Sequence, residues 1–249
     1  MSQPIKLISL NIWGGRIYAP FIDFLKSRFG DTDIFCFQEV FDNPSEKHSR
    51  IHKEVREDIN QGIKPILSDF NGWLAPSQDY EESLAMYVIK TIPLQKTGDV
   101  FVYRWKNAMV GNDGTTFGVN VQYAQFEQNK KQYTICNLHG HWTPKFKGDD
   151  PARIEQSKNI KKFLDSIEGA KILCGDFNLA PDTQSMEILE DNMRNLIKEY
   201  GITSTRSHHY KEGVKFADYI LVSPEIEVKD FKVIQDVVSD HLPLYLEFQ

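Results

Sequence analysis

Five apolar runs in this chain end on residues able to do chemistry. Residues 8–10 (ISL) run into Asn11, and 34–38 (IFCFQ) run into Glu39. Residues 133–138 (YTICNL) end at His139, and 171–175 (KILCG) end at Asp176 with Asn178 two places on. Residues 237–239 (VVS) lead to Asp240–His241. Polar groups at the ends of buried strands either converge on one rim of a fold or scatter over loops. Convergence is how a rigid scaffold presents reactive groups. Brought together in a partly dry site, Glu39, Asp176 and Asp240 would repel one another, and a divalent cation would relieve that repulsion. Asn, Asp and Glu offer hard oxygen ligands, which suit Mg²⁺ or Mn²⁺ better than zinc.

These residues need elements to hold them. The runs IKLISL, DIFCF, LAMYVI, VNVQYAQF, YTICNL, AKILC, ADYILV and LPLYLEF are nearly continuous in hydrophobicity. Continuity, as opposed to alternation, predicts strands buried on both faces. Residues 122–138 read as an antiparallel hairpin turning at Asn129–Lys130. Helices are expected over 19–29, over the highly charged 45–59, and over 185–200, the last broken at Asn192 and ended by Gly201. The best-specified helix starts with Asp150 as N-cap and Pro151 as first helical residue. Ile160, Phe163, Leu164 and Ile167 share its inner face, and Arg153 and Gln156 fall on that same face. No repeat or long linker divides the chain, so residues 1–249 read as one domain. A mixed sandwich with helices outside two packed sheets fits better than a doubly wound parallel fold.

The motifs carry a resemblance. Leu10–Asn11, Gln38–Glu39, Asn137–Leu138–His139, Gly175–Asp176–Phe177–Asn178, Asp218–Tyr219 and Ser239–Asp240–His241 occur in the order of the endonuclease/exonuclease/phosphatase superfamily. Each piece is weak alone; six in order, each at an expected strand end, are specific. The superfamily includes deoxyribonucleases, deadenylases, tyrosyl-DNA phosphodiesterases, inositol-phosphate phosphatases and sphingomyelinases. The resemblance implies an α+β fold, a four-layered α/β sandwich with one metal-dependent site at the sheet rim.

It also implies roles. Glu39 resembles the principal metal ligand, with Asn11 and Asp240 beside it. Asp176 resembles the residue that orients and deprotonates the attacking water, and Asn178 the amide that holds a phosphate oxygen. His241, held as imidazolium by Asp218, would stabilise charge on the phosphoryl oxygens. His139 is the candidate acid or phosphate donor, with His141 the alternative two residues away. Glu81 or Glu82 would pair with that histidine, as in the deoxyribonuclease branch.

Composition bounds the substrate. With 29 basic and 35 acidic residues, the net charge is −6, which argues against coating nucleic acid or an anionic membrane through bulk charge. Basic residues near expected rim loops are few. Lys145 and Lys147 are interleaved with Trp142 and Phe146, and Arg206 lies beside His208, His209 and Tyr210. That composition suits a short single strand or a phosphorylated terminus. Arg153 is either a clamp at the rim or a buried brace on backbone. Because such activities are common in the superfamily that the chain resembles, the leading expectation is a Mg²⁺-dependent nuclease or nucleic-acid end-processing phosphodiesterase. The alternative is a phosphoesterase for a small molecule or lipid head group. Cys36, Cys136 and Cys174 are odd in number and lie inside apolar runs. They read as reduced core residues of a cytoplasmic, monomeric protein with no membrane span.

Overall fold

A computed structural model describes residues 3–43, 54–77, 82–105, 118–143 and 147–249. Two six-stranded mixed sheets pack face to face, flanked by helices. The first sheet contains β1 (Ile5–Asn11), β2 (Ile34–Val40), β3 (Phe70–Pro76), β4 (Ser83–Ile89), β11 (Val228–Val233) and β12 (Leu244–Phe248), in the order β11-β12-β1-β2-β4-β3. The second contains β5 (Leu94–Tyr103), β6 (Val119–Gln128), β7 (Lys131–His139), β8 (Ala170–Asp176), β9 (Arg194–Asn195) and β10 (Asp218–Val222), in the order β5-β6-β7-β8-β10-β9.

Each sheet has a single parallel pair near its centre, β1 with β2 and β7 with β8, and every other pairing is antiparallel. Register puts Asn11 opposite Gln38 in the first pair and His139 opposite Asp176 in the second. Asp218, at the start of β10, faces Asp176 from the other side. Register thus sets the Asn11 and Glu39 ends together in the first sheet and the His139, Asp176 and Asp218 ends together in the second, while Asp240 and His241 lie on the loop between β11 and β12.

The continuous runs are explained by two cores. Leu7, Cys36, Met86, Ile135 and Ile172 are buried between the sheets. Ile8, Leu10, Phe35 and Phe37 point the other way, onto α1 (Tyr18–Arg28) and α2 (Ile59–Ile66). α3 (Pro151–Asp165) and α4 (Gln184–Glu190) cover the second sheet through Ile160, Leu164, Met186 and Leu189. Fully burying such a side chain contributes about 1.5–3 kcal/mol each. The three cysteines are free thiols within the core, and burial raises the pKa of Cys36 and Cys136, which keeps them protonated.

Local expectations are met where the signal was local. The Asp150 carboxylate caps α3 by accepting from Arg153 N–H at 2.9 Å. Asn129 and Lys130 turn the β6–β7 hairpin with φ of 56° and 63°, the left-handed values that favoured two-residue turns require. Of the helix expected over 45–59, residues 45–53 lie outside the described residues; residues 54–58 form turns, and α2 starts at Ile59 and contains Pro65. The helix expected over 185–200 is split into α4 and the short α5 (Leu196–Glu199), with Asn192 at φ 62° between them.

Candidate active site

The rim residues are aimed by local backbone devices. Glu39 has φ 57° and lies where the β2–β4 register shifts between Phe37 and Val40. A bulge of this kind re-aims one side chain of an otherwise buried strand, and here it turns the Glu39 carboxylate toward the cavity. Trp13 and Asn178 also have positive φ, 53° and 56°. Such strained conformations cluster at sites where surrounding structure enforces them. Gly175 has φ 135°, and a Cβ there would meet the Leu138 carbonyl oxygen at 2.0 Å. Only glycine lets β8 run this close to β7 just before Asp176.

Beneath the rim, a buried polar chain joins the sheets. Gln38 Nε2 donates to Asn137 Oδ1 at 2.7 Å, and Asn137 Nδ2 donates to Gln122 Oε1 at 3.1 Å. Asn137 Nδ2 also reaches the Phe37 carbonyl at 3.1 Å. These amides fix the first sheet against the second directly below the site.

The site occupies a cavity of about 320 Å³ lined by Trp13, Glu39, His139, Lys147, Asp176, Asn178, Arg206, Tyr210, Asp240 and His241, among others. Asn11 lies at its floor: Nδ2 donates to Glu39 Oε1 at 2.9 Å and to Asp176 Oδ2 at 3.1 Å, and Oδ1 accepts from Trp13 N–H. His139 Nε2 stands 3.9 Å from Glu39 and 3.8 Å from Asp176, and its Nδ1 is 3.5 Å from Glu82. Of the two glutamates considered for that pairing, Glu82 is the one beside His139; Glu81 lies outside the described residues. His141 is not at the cavity: its ring packs edge-on against Tyr103 and its backbone N–H donates to Gln156.

His241 and Asp218 form a close pair, with Nδ1 at 2.8 and 2.9 Å from the two carboxylate oxygens. Thr205 Oγ1 donates to Asp218 Oδ2 at 2.8 Å and holds the carboxylate from behind. Arg206 Nη1 donates to Asp240 Oδ2 at 3.0 Å and also meets His241 Nε2, with the guanidinium 4.1 Å over the Tyr210 ring. Burial and Arg206 work to lower the His241 pKa, but Asp218, Asp240 and Asp176 more than offset them and raise it. Burial would raise the Asp176 pKa, yet His241, Lys147, His139 and Arg206 hold it well below the usual carboxylate range. These groups stabilise the Asp176 carboxylate in its charged form.

Two basic residues differ from the expected placing. Lys147 and Arg206 do not stand out on flanking loops; they are 7% and 9% exposed and line the cavity wall. Arg153 is no substrate clamp. It is fully buried behind the site, donating Nε to the His141 carbonyl and Nη1 to the Gly148 carbonyl, because α3 turns that face into the protein. Lys145 lies outside the described residues.

The donor chemistry fits a divalent cation. Glu39, Glu82 and His139 bring ligand atoms within 4.8 Å of one another, as do Asp176, Asp218 and His241. The Asn11 amide, between Glu39 and Asp176, marks where hard oxygen donors converge.

A rim of acids, histidines and buried cations at the ends of paired parallel strands in a two-sheet sandwich defines a phosphoesterase-type site. The chain belongs to the endonuclease/exonuclease/phosphatase family, whose model matches residues 8–241. Members of that family are hydrolases acting on phosphoesters and generally use divalent metals. The fold is similar to a family protein from Bacteroides thetaiotaomicron, with 18% identity and a TM-score of 0.76 over 99% of this chain and 96% of that one. It is similar to a mannosyl-6-phosphatase from Bacteroides thetaiotaomicron (18% identity, TM-score 0.75, 98% and 99% covered). The catalytic domain of human nocturnin is also similar (17% identity, TM-score 0.68, 100% and 95% covered). No curated protein matches the sequence. Among the described residues no helix is long and apolar enough to cross a membrane.

Proposed function

We propose that this protein is a Mg²⁺- or Mn²⁺-dependent hydrolase of a phosphoester carried on a small molecule or on the end of a chain. One observation carries the reading: Lys147 and Arg206 are buried in one cavity of about 320 Å³ with Asp176 and His241. Cations gathered around one enclosed phosphate suit a compact substrate. Cations spaced along an open groove would suit a polymer of many phosphates.

In this reading Glu39, with Asn11 and Asp240 at its sides, holds the metal. The bound ion would supply a Lewis acid that draws charge from the phosphoryl oxygens. Asp176 orients the attacking water in line with the scissile bond and accepts the proton that the water loses as it attacks. The new P–O bond forms from that water as the bond to the ester oxygen breaks. His139, backed by Glu82, delivers the proton that the leaving oxygen takes. His241, kept cationic by Asp218, stabilises charge building on the phosphoryl oxygens, and Asn178 and Arg206 fix the group's orientation.

A second reading, a nucleic-acid end-processing phosphodiesterase, is favoured by the aromatic rim. Trp13 lies with His209 at 6.3 Å between ring centroids, and Trp142 is half-exposed across the cavity. Turnover of chromogenic mono- and diesters and sugar phosphates, set beside single-stranded, duplex and RNA oligonucleotides, separates the two. The small-substrate reading expects the small esters to win in kcat/KM. Efficient cleavage of oligonucleotides with little turnover of small esters would give the second reading the lead. If oligonucleotides are bound, a shallow salt dependence from about two or three phosphate contacts is expected.

A further inference from the structure

The segment 147–150, which leads into α3, is tied down at every residue. The Lys147 carbonyl accepts from Ala180 N–H at 2.7 Å. The Gly148 carbonyl accepts from Arg153 Nη1 at 2.9 Å. The Asp149 carboxylate accepts from Gln184 N–H at 2.8 Å, Ser185 N–H at 2.9 Å and Ser185 Oγ at 2.6 Å. Asp150 caps Arg153 N–H. Four consecutive residues with irregular backbone are thus fixed from three directions: the loop after β8, the start of α4 and the start of α3.

The strap delivers one thing to the cavity, the Lys147 side chain. Its stem is buried, its Nζ donates to Asn178 Oδ1, and it lines the same wall as Asp176, Arg206 and His241. An ammonium has three N–H groups, so two remain, among the described residues, after the bond to Asn178. Asn178 spends one amide hydrogen on the Gly140 carbonyl at 3.0 Å. Its Oδ1, turned to Lys147, has no hydrogen to offer a phosphate. Asn178 therefore works at least in part by orienting Lys147. Burying an ammonium costs several kcal/mol unless something compensates; burial, with Arg206 and Arg153, lowers the Lys147 pKa, and the nearby Asp176 and Asp218 carboxylates offset this only in part. They do not fill its remaining hydrogen bonds.

We propose that Lys147 is a catalytic residue whose ammonium binds a non-bridging oxygen of the scissile phosphoryl group, and that Asp149, Arg153 and Asn178 are the residues that position it. The proposal rests on the phosphoester-hydrolase reading but makes a demand of its own. A contact to the phosphoryl group is shared by every phosphoester, so its loss must not depend on what the phosphate is attached to.

The test is Lys147→Met, which keeps the stem and removes the charge, measured with Mg²⁺ present. Inorganic tungstate, a tetrahedral phosphate mimic, is titrated calorimetrically into wild type and variant. Its affinity should fall at least about tenfold, and kcat/KM on a chromogenic monoester, a chromogenic diester and an oligonucleotide should fall by a common factor of about 100. Unchanged tungstate affinity, or a loss confined to the oligonucleotide, would overturn the assignment. If wild type hydrolyses no phosphoester, the enzyme reading fails on its own, and the tungstate titration still decides whether Lys147 binds the anion. The positioning role is read from Asp149→Asn, which should lower kcat several-fold with the far-ultraviolet spectrum unchanged. Combined with Lys147→Met it should add nothing further. Full additivity of the two changes would overturn the positioning half.

Discussion

The Glu39 side of the cavity and the Asp176 side use the same kinds of residue in opposite surroundings. Glu39, Glu82 and His139 are all partly exposed. Asp176, Asp218 and His241 are all buried, and Lys147 and Arg206 stand among them. The open side gathers two carboxylates and an imidazole, a donor set that would suit a divalent cation. The dry side sets its carboxylates among buried cations. In the proposed reading the first wall would receive a metal and the second an anion. Asn11 joins them, donating to Glu39 on one side and Asp176 on the other.

The comparison breaks most readily on metal dependence, the largest effect expected. Excess chelator should abolish turnover, and Mg²⁺ or Mn²⁺ should restore it, with zinc a poor substitute. Full activity in chelator would remove the reason for the open side. Glu39→Gln should lose metal affinity and most of the rate.

Next come the groups that meet developing charge on the dry side. Asp176→Asn and His241→Ala should each raise the barrier by about 2–4 kcal/mol with little change in KM. A raised KM at constant kcat would show that these residues bind the ground state and would blur the division between the walls.

Stability without metal sharpens the contrast. Asp218→Asn leaves the His241 imidazolium buried without its partner, so denaturant unfolding should show a loss of about 3 kcal/mol. Glu39→Gln, on the open side, should stay within about 0.5 kcal/mol of wild type. Equal losses would mean that the two walls are not differently balanced.

The smallest effect is on pH. The His241 pKa is raised on folding, so its contribution to stability is complete below the unfolded value and is lost as pH rises through the folded one. The metal-free melting temperature should therefore decline as pH rises above the ordinary histidine pKa of about 6.5. The decline should be shallower in His241→Asn. An identical slope in the variant would assign it to another group.

What the sequence determined by itself was set by short-range pattern. The eight continuous apolar runs correspond to β1, β2, β4, β6, β7, β8, β10 and β12, the interior strands of the two sheets. The order of polar residues at their ends placed Asn11, Glu39, His139, Asp176 and His241 before any fold was known. The hairpin at Asn129–Lys130 and the cap at Asp150 were equally legible, since each is closed by neighbours in the chain. The four strands that left no continuous run are β3, β5, β9 and β11, all of them sheet edges. An edge strand is covered less completely, so its residues need not be uniformly apolar, as the exposed positions along β5 and β11 illustrate. Tertiary structure alone decided where side chains point. The bulge that turns Glu39 depends on pairing with β4. The strap that carries Lys147 inward depends on contacts with Ala180 and Ser185, more than thirty residues further along the chain. A local pattern records which residues are apolar. The direction of a lone charge is fixed by whatever partner the fold brings to it, and for Lys147 that partner is Asn178.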